Sequence, residues 1–336
     1  MTAPSTRPAW RRLGFAPLLG LAAFALVFAC HVSVGARTIP LPVVAEALLS
    51  YDASVFEHVV IVDLRLPRAL LAAMVGAALA VSGALMQGVT RNPLADPGIL
   101  GLLIGASFAV VLVVGVFDLA APALIPPVAA LGAVIAAMAV WGIAVAAPGG
   151  AMPLNLVLSG AAVTAFLAAL VIIANLLDEQ SFEQLRVWMT GSLAGAQGGV
   201  MLWALPWLCS GFIVALTIAR QVTALAMGEE TATGLGLNVG RVKALALFAV
   251  VALTAAAVAM AGPMGFVGLV VPHVVRLFAG QDYRRIVPWS ALAGAGYLLV
   301  VDVAARMVLA PVEISTGLVT ALLGAPIFVW LVRARL

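Results

Sequence analysis

"RLPRALLAAMVGAALAVSGALMQGVTRNPLADPGILG", residues 65–101, places Arg65 and Arg68 before an uncharged run from Ala69 to Thr90. A helix needs about 20 predominantly apolar residues to cross the hydrocarbon core of a bilayer. The run is long enough, and it closes on "RNPLADPG", whose prolines and glycine punctuate a turn. Ala72, Gly76, Ala80 and Ala84 recur every four positions, a face on which a second helix can approach closely. The stretch reads as a membrane-spanning helix packed among others.

The rest of the chain agrees. Of its 336 residues, 64% are hydrophobic and 9% charged, with a mean hydropathy of +1.19. A soluble domain carries about 25% charged residues, so the solvent of this chain is mostly lipid. Barrel strands would alternate over segments of about ten residues. Here the apolar runs are far longer, which selects α-helices. Ten stretches qualify as spans, at roughly 14–34, 67–89, 96–117, 124–147, 154–177, 198–219, 242–262, 264–279, 287–306 and 316–333. The eighth is short and set off by "AGPMG", so a broken or partly inserted segment is expected there. The first run, to Val34, is too long for a signal-peptide core and is expected to be retained. The expectation is an all-α polytopic protein of one transmembrane domain, residues 1–336.

Lys and Arg set the orientation. An even number of spans puts both termini on one side. With that side cytoplasmic, it holds Arg7, Arg11, Arg12, Arg91, Arg220, Arg241, Lys243, Arg276, Arg284, Arg285, Arg333 and Arg335. The outside holds Arg37, Arg65, Arg68, Arg186 and Arg306. Twelve against five is a clear bias, and Arg65 and Arg68 run against it. Headgroup anchoring by snorkelling would account for them. Residues 35–66 and 178–190 are polar enough to be external segments, each with a short helix. Residues 220–243, "RQVTALAMGEETATGLGLNVGRVK", form the longest polar segment inside. A bland connection needs only a handful of residues. Two short surface helices contacting a soluble partner fit this one.

The chemistry-bearing residues are sparse. His31, His58 and His273 lie far apart, with no metal-ligand spacing, and no P-loop or dinucleotide fingerprint occurs. Neither a catalytic set nor a metal site is expected. Cys30 and Cys209 read as buried thiols outside any disulfide framework. The net charge of +3 comes from basic residues scattered singly at segment ends, which excludes a nucleic-acid patch. Asp302 is the clearest ionisable group inside a span, and Arg306, one turn on, shares its helix face. An ion-coupled secondary transporter would need better-placed carboxylates, and an intramembrane enzyme would need its polar groups around one cavity. The stretches at 68–101 and 241–273 share a basic start, an Ala/Val run and Gly/Pro punctuation, a faint echo of an inverted repeat.

Residues 65–101, "WMTGSL" (188–193), "MGEETATGLGLNVGR" (227–241), "GPMGFVGLVVPHVVRLFAG" (262–280) and "LVTALLGAPIFVWL" (318–331) together resemble the FecCD-type permeases. These are membrane subunits of ABC importers for iron-siderophores, haem and cobalamin. "VEISTG" at 312–317 departs from the family in having Ser315 where a proline is usual. The resemblance implies a type II ABC importer permease fold of about ten spans in the bacterial inner membrane, both termini cytoplasmic, working as a homodimer. It implies two ATP-binding cassette subunits, which bind ATP and Mg, and a periplasmic substrate-binding protein. The chain itself would have no cofactor and no ATPase site. Arg65, Arg68 and Arg306 match the outer arginines that meet glutamates of the binding protein. Glu229, Glu230, Gly234, Gly236 and Arg241 fall in the matching coupling helices. Among the chelates, haem is favoured by Arg186, a lone arginine expected near the apolar mouth of the path, where it would pair with a propionate. A ferric siderophore or cobalamin is the alternative.

Overall fold

The structure, a computed structural model, describes residues 16–35, 37–117, 123–150, 152–177, 188–194, 198–310 and 312–335. Among these residues every regular element is helical. In chain order the α-helices are α1 (Ala16–Ser33), α2 (Leu41–Leu49), α3 (Phe56–Val59), α4 (Leu66–Thr90), α5 (Leu102–Val111), α6 (Ile125–Ala146), α7 (Pro153–Leu177), α8 (Gly198–Ala226), α9 (Glu229–Gly234), α10 (Val239–Ala261), α11 (Val267–Ala279), α12 (Tyr283–Met307) and α13 (Thr316–Arg335). Six helical segments are long and apolar enough to cross a membrane by length and composition, and four more apolar helices are shorter.

Helix α4 is the axis of the bundle and packs against α8, α10, α11 and α12. Its small-residue face does what the spacing predicts. Ala72, Ala80 and Ala84 are fully buried. A Cβ on Gly76 would lie 2.2 Å from the carbonyl oxygen of Gly294 in α12, and one on Gly83 only 1.9 Å from that of Gly268 in α11. The backbones therefore touch. Apolar side chains gain nothing by leaving lipid for other apolar side chains, so such close packing is the main attraction between spans. The outer helices behave differently. On α7, Leu154, Leu158, Phe166, Ile172 and Leu176 are exposed, as are Leu322 and Trp330 on α13.

Two elements differ from expectation. The span predicted from 67 is the continuation of a helix that begins at Phe56, joined through a π-helical segment, Val60–Arg65. Pro67 is the reason. Proline has no N–H and crowds the carbonyl four residues before it, so the helix widens by one residue per turn there. In the segment 220–243, α8 runs on to Ala226 and Asn238 caps α10, accepting from the Arg241 amide at 2.9 Å. Only α9 stands between them, one short helix where two were expected.

The break at "AGPMG" is real. Gly262 ends α10 with φ 73°, Phe266 precedes α11 with φ 68°, and α11 has 13 residues. Residues 188–194 fill the break. The Ser192 amide donates to the Ala261 carbonyl at 2.8 Å, and the Gly317 amide to the Gly191 carbonyl at 2.9 Å. Gly191, Gly262 and Gly317 meet here without side chains: a Cβ on any of them would fall within 2.6 Å of a carbonyl oxygen of a neighbouring segment. Residues 178–187 of the expected external helix lie outside the described residues. Cys30 and Cys209 are free but exposed, a correction to their reading as buried thiols: each sits on the outward face of its helix.

Candidate functional site

At one end of the bundle α1 stops, α4 and α13 start, and α12 arrives. Asp302 of α12 is fully buried there. Its carboxylate accepts from His31 Nε2 at 2.9 Å, from Arg68 Nε and Nη2 at 2.9 and 3.0 Å, and from Thr316 Oγ1 at 2.9 Å. Arg306, one turn further along α12, brings its Nε to 3.2 Å from the same carboxylate. The i, i+4 pair read from the sequence thus forms, within a larger cluster that holds four helices at one point.

The three outer arginines are not equivalent. Arg65 is 8% exposed, with Nη1 donating to the carbonyls of Val32 and Ser33 at 2.9 and 2.6 Å and Nη2 to that of Arg37 at 2.5 Å. Arg306 is 6% exposed and donates to the carbonyls of Val34 and His31 at 3.1 and 3.2 Å. Both guanidiniums thus bind the last turn of α1 and the chain after it, where a helix leaves its carbonyls unpaired. Arg68 faces both ways. One edge grips Asp302, and Nη1 reaches out to Glu313 at 2.8 Å, a carboxylate that is 47% exposed. Glu313 belongs to "VEISTG", and Ser315, in the place of the family's proline, accepts the Leu318 amide at 3.1 Å as α13 begins. Arg186, the expected pathway residue, lies outside the described residues.

The opposite end carries the polar segment. Glu229 opens α9, and its Oε1 lies 2.9 Å from Lys243 Nζ in α10 and 3.7 Å from Arg91 Nη2. Arg91 caps α4 in the left-handed region, φ 53°. Glu230 is exposed and joins no ion pair among the described residues. Gly236 has φ 79°, which glycine adopts without strain, so α9 can turn tightly toward Asn238. Gly234 ends α9 with open space around it. Arg241 is exposed. Beside α9 a cavity of about 900 Å³ opens, lined among others by Arg220, Met227, Leu235, Asp282 and Arg284. Hydrogen bonds from Arg284 hold the Asp282 carboxyl below the usual carboxylate range. Deeper in, Gln87 of α4 donates to the Gly268 and Leu269 carbonyls at 3.2 Å and accepts from Arg276 of α11. Arg276 in turn donates to Tyr283 of α12 at 3.0 Å.

Sequence reasoning missed His31, Glu313 and Thr316 at one end and Lys243 and Arg91 as partners of Glu229 at the other. A histidine or a glutamate alone in an apolar surrounding was the available signal. Among the described residues no group of three His, Cys, Asp or Glu side chains is placed to hold a metal.

The family model described as the FecCD transport family matches residues 22–334. The iron(3+)-hydroxamate import system permease protein FhuB of Bacillus subtilis (strain 168) is 42% identical over 326 residues, covering 94% of this chain and 82% of that one. The hemin transport system permease protein HmuU of Yersinia pestis is also 42% identical, over 278 residues, covering 80% and 82%. A chain solved in an inward-facing conformation, described as of the metal-chelate type of ABC transporter, superposes with a TM-score of 0.84 at 28% identity, covering 94% and 98%.

Proposed function

The chain belongs to the FecCD transport family, multi-pass inner-membrane permeases of ABC importers for metal chelates, and from that premise we propose that it is one half of a homodimeric permease that imports an iron chelate. The observation that carries the reading is α4. One buried helix has Arg68 at one end, facing an exposed carboxylate, and Arg91 at the other, facing α9. A periplasmic binding protein would dock at the first end. An ATP-binding cassette subunit, holding ATP and Mg, would dock at the second through α9 and the loop around it: Glu230, Gly234, Gly236 and Arg241. α1 runs into the Asp302 cluster and α13 runs out of it, which supports ten spans with both termini cytoplasmic. A second copy would cover part of the exposed faces of α7 and α13. No bond is made or broken by this chain's own residues. They hold the frame and pass movement along it.

In this proposal Arg65, Arg68 and Arg306 form the docking end, with distinct tasks. Arg65 and Arg306 brace the surface, and Arg68 meets the partner's carboxylate. Arg68→Lys keeps the charge but loses the two-pronged grip. The expected result is binding-protein affinity reduced about tenfold, or 1.4 kcal/mol, with folding retained. The loss should shrink as salt is raised, since the contact is electrostatic. Unchanged affinity at low salt would remove Arg68 from the interface.

Haem is the cargo that Arg186 favours, a cation to pair with a propionate at an apolar mouth. A ferric hydroxamate is the second reading, favoured by the relative that matches 94% of this chain. The test is ATP-driven uptake into proteoliposomes holding the permease, its ATPase and its binding protein. Haem uptake that falls several-fold in Arg186→Ala is the expected result. Hydroxamate uptake without haem uptake replaces the first cargo by the second. Uptake driven by a proton gradient without ATP would overturn the importer reading itself.

A further inference from the structure

Glu229 and Glu230 are adjacent in sequence and opposite in use. Glu230 is exposed. Glu229 is turned into the bundle, where one carboxylate meets Lys243 at 2.9 Å and Arg91 at 3.7 Å. Lys243 stands in the first turns of α10 and is 9% exposed. Arg91 is the left-handed cap of α4. A single side chain therefore joins α9 to the ends of two long helices. Little else does. Ala232 is the only buried residue of α9, and an alanine methyl is a weak anchor. Gly228 (φ 128°) and Gly236 (φ 79°) bracket α9 in turns that glycine adopts without strain. The ion pairs add a polar link to the short chain connections that join α9 to α8 and α10.

We infer that Glu229 is a positioning residue: it ties α9 to α4 and α10, so that a displacement of α9 becomes a displacement of both helices. This rests on the reading of α9 as the ATPase contact, and it divides the work within that contact. Glu230 and the exposed Leu235 face the partner, and Glu229 faces its own chain. The link to Lys243 is a short ion pair at a partly dry site, stronger there than on an open surface. The link to Arg91 is longer and weaker, but it reaches the helix whose far end holds Arg68.

The test uses the full importer, reconstituted with its ATPase and binding protein. Glu229→Gln should leave ATPase association unchanged and lower the melting temperature only slightly, while cargo transported per ATP falls about tenfold. Lys243→Gln should do the same, and the double variant should be no worse than either single one, the signature of a pair acting as a unit. Additive losses, or unchanged transport per ATP in Glu229→Gln, overturn the tether. Loss of ATPase association in Glu229→Gln also overturns it, by making Glu229 a direct contact, and leaves the reading of α9 standing. The reading of α9 is checked separately with Leu235→Asp. Full ATPase association in that variant would show that the partner sits elsewhere.

Discussion

Asp302→Ala destabilises the chain by about 3–5 kcal/mol, the range for removing one partner of a buried ion pair. The carboxylate is fully buried and answers His31, Arg68, Arg306 and Thr316 together. Without it, Arg68 keeps only Glu313, and Arg306 keeps only main-chain carbonyls, those of His31, Val34 and residue 302 itself. Two guanidiniums then face each other with no anion between them, and Arg65 adds a third nearby. Asp302→Asn keeps the shape and part of the hydrogen bonding, so its loss should be smaller. The measurement is the melting temperature of purified protein in detergent, with the monodisperse yield beside it. An Asp302→Ala protein that melts with the wild type would refute the cluster's structural role.

The second large effect is expected at Gly83. In an open helix position, replacing glycine by alanine stabilises by about 1 kcal/mol. Gly83→Ala should do the reverse. Its Cβ would lie 1.9 Å from the Gly268 oxygen and 2.4 Å from two more backbone atoms of that residue. Backbone cannot rotate aside as a side-chain tip can, so α4 and α11 must separate. Overpacking of this kind costs about 1–3 kcal/mol and occasionally more. Gly296→Ala in α12 is the matched control, since nothing lies within 4 Å of the added methyl. Opposite signs for the two substitutions are the expected result. Equal melting temperatures would mean that the two helices do not touch at Gly83.

Much of this architecture is legible along the chain, because a spanning helix must satisfy its own backbone and announces itself by length and composition. Each of the ten apolar stretches holds an apolar helix. The break before α11 is legible from its glycines and proline, and Asp302 with Arg306 from helical spacing. What stays hidden is partnership across helices. His31 and Asp302 are 271 positions apart, and Arg68 and Asp302 are 234. No local periodicity connects them, and only the packing of α1, α4 and α12 makes them neighbours. The same holds on a smaller scale for Glu229 and Lys243, 14 positions apart on different helices. Charges at segment ends point to a surface role, and two of the outer arginines also bind the frame beneath it.

The meeting of Gly191, Gly262 and Gly317 is a joint specified by absences. Most helix contacts are recognised through the shapes of interlocking side chains, and a change on one side can be answered by a change on the other. Here the nearest partners are carbonyl oxygens, which every residue has, and the demand on each position is to carry nothing, with Gly191 and Gly262 also held at φ 73°. No compensating substitution exists, because no neighbour can shrink below backbone. The outermost two lie 126 positions apart, and a map of tolerated substitutions should single each of the three out.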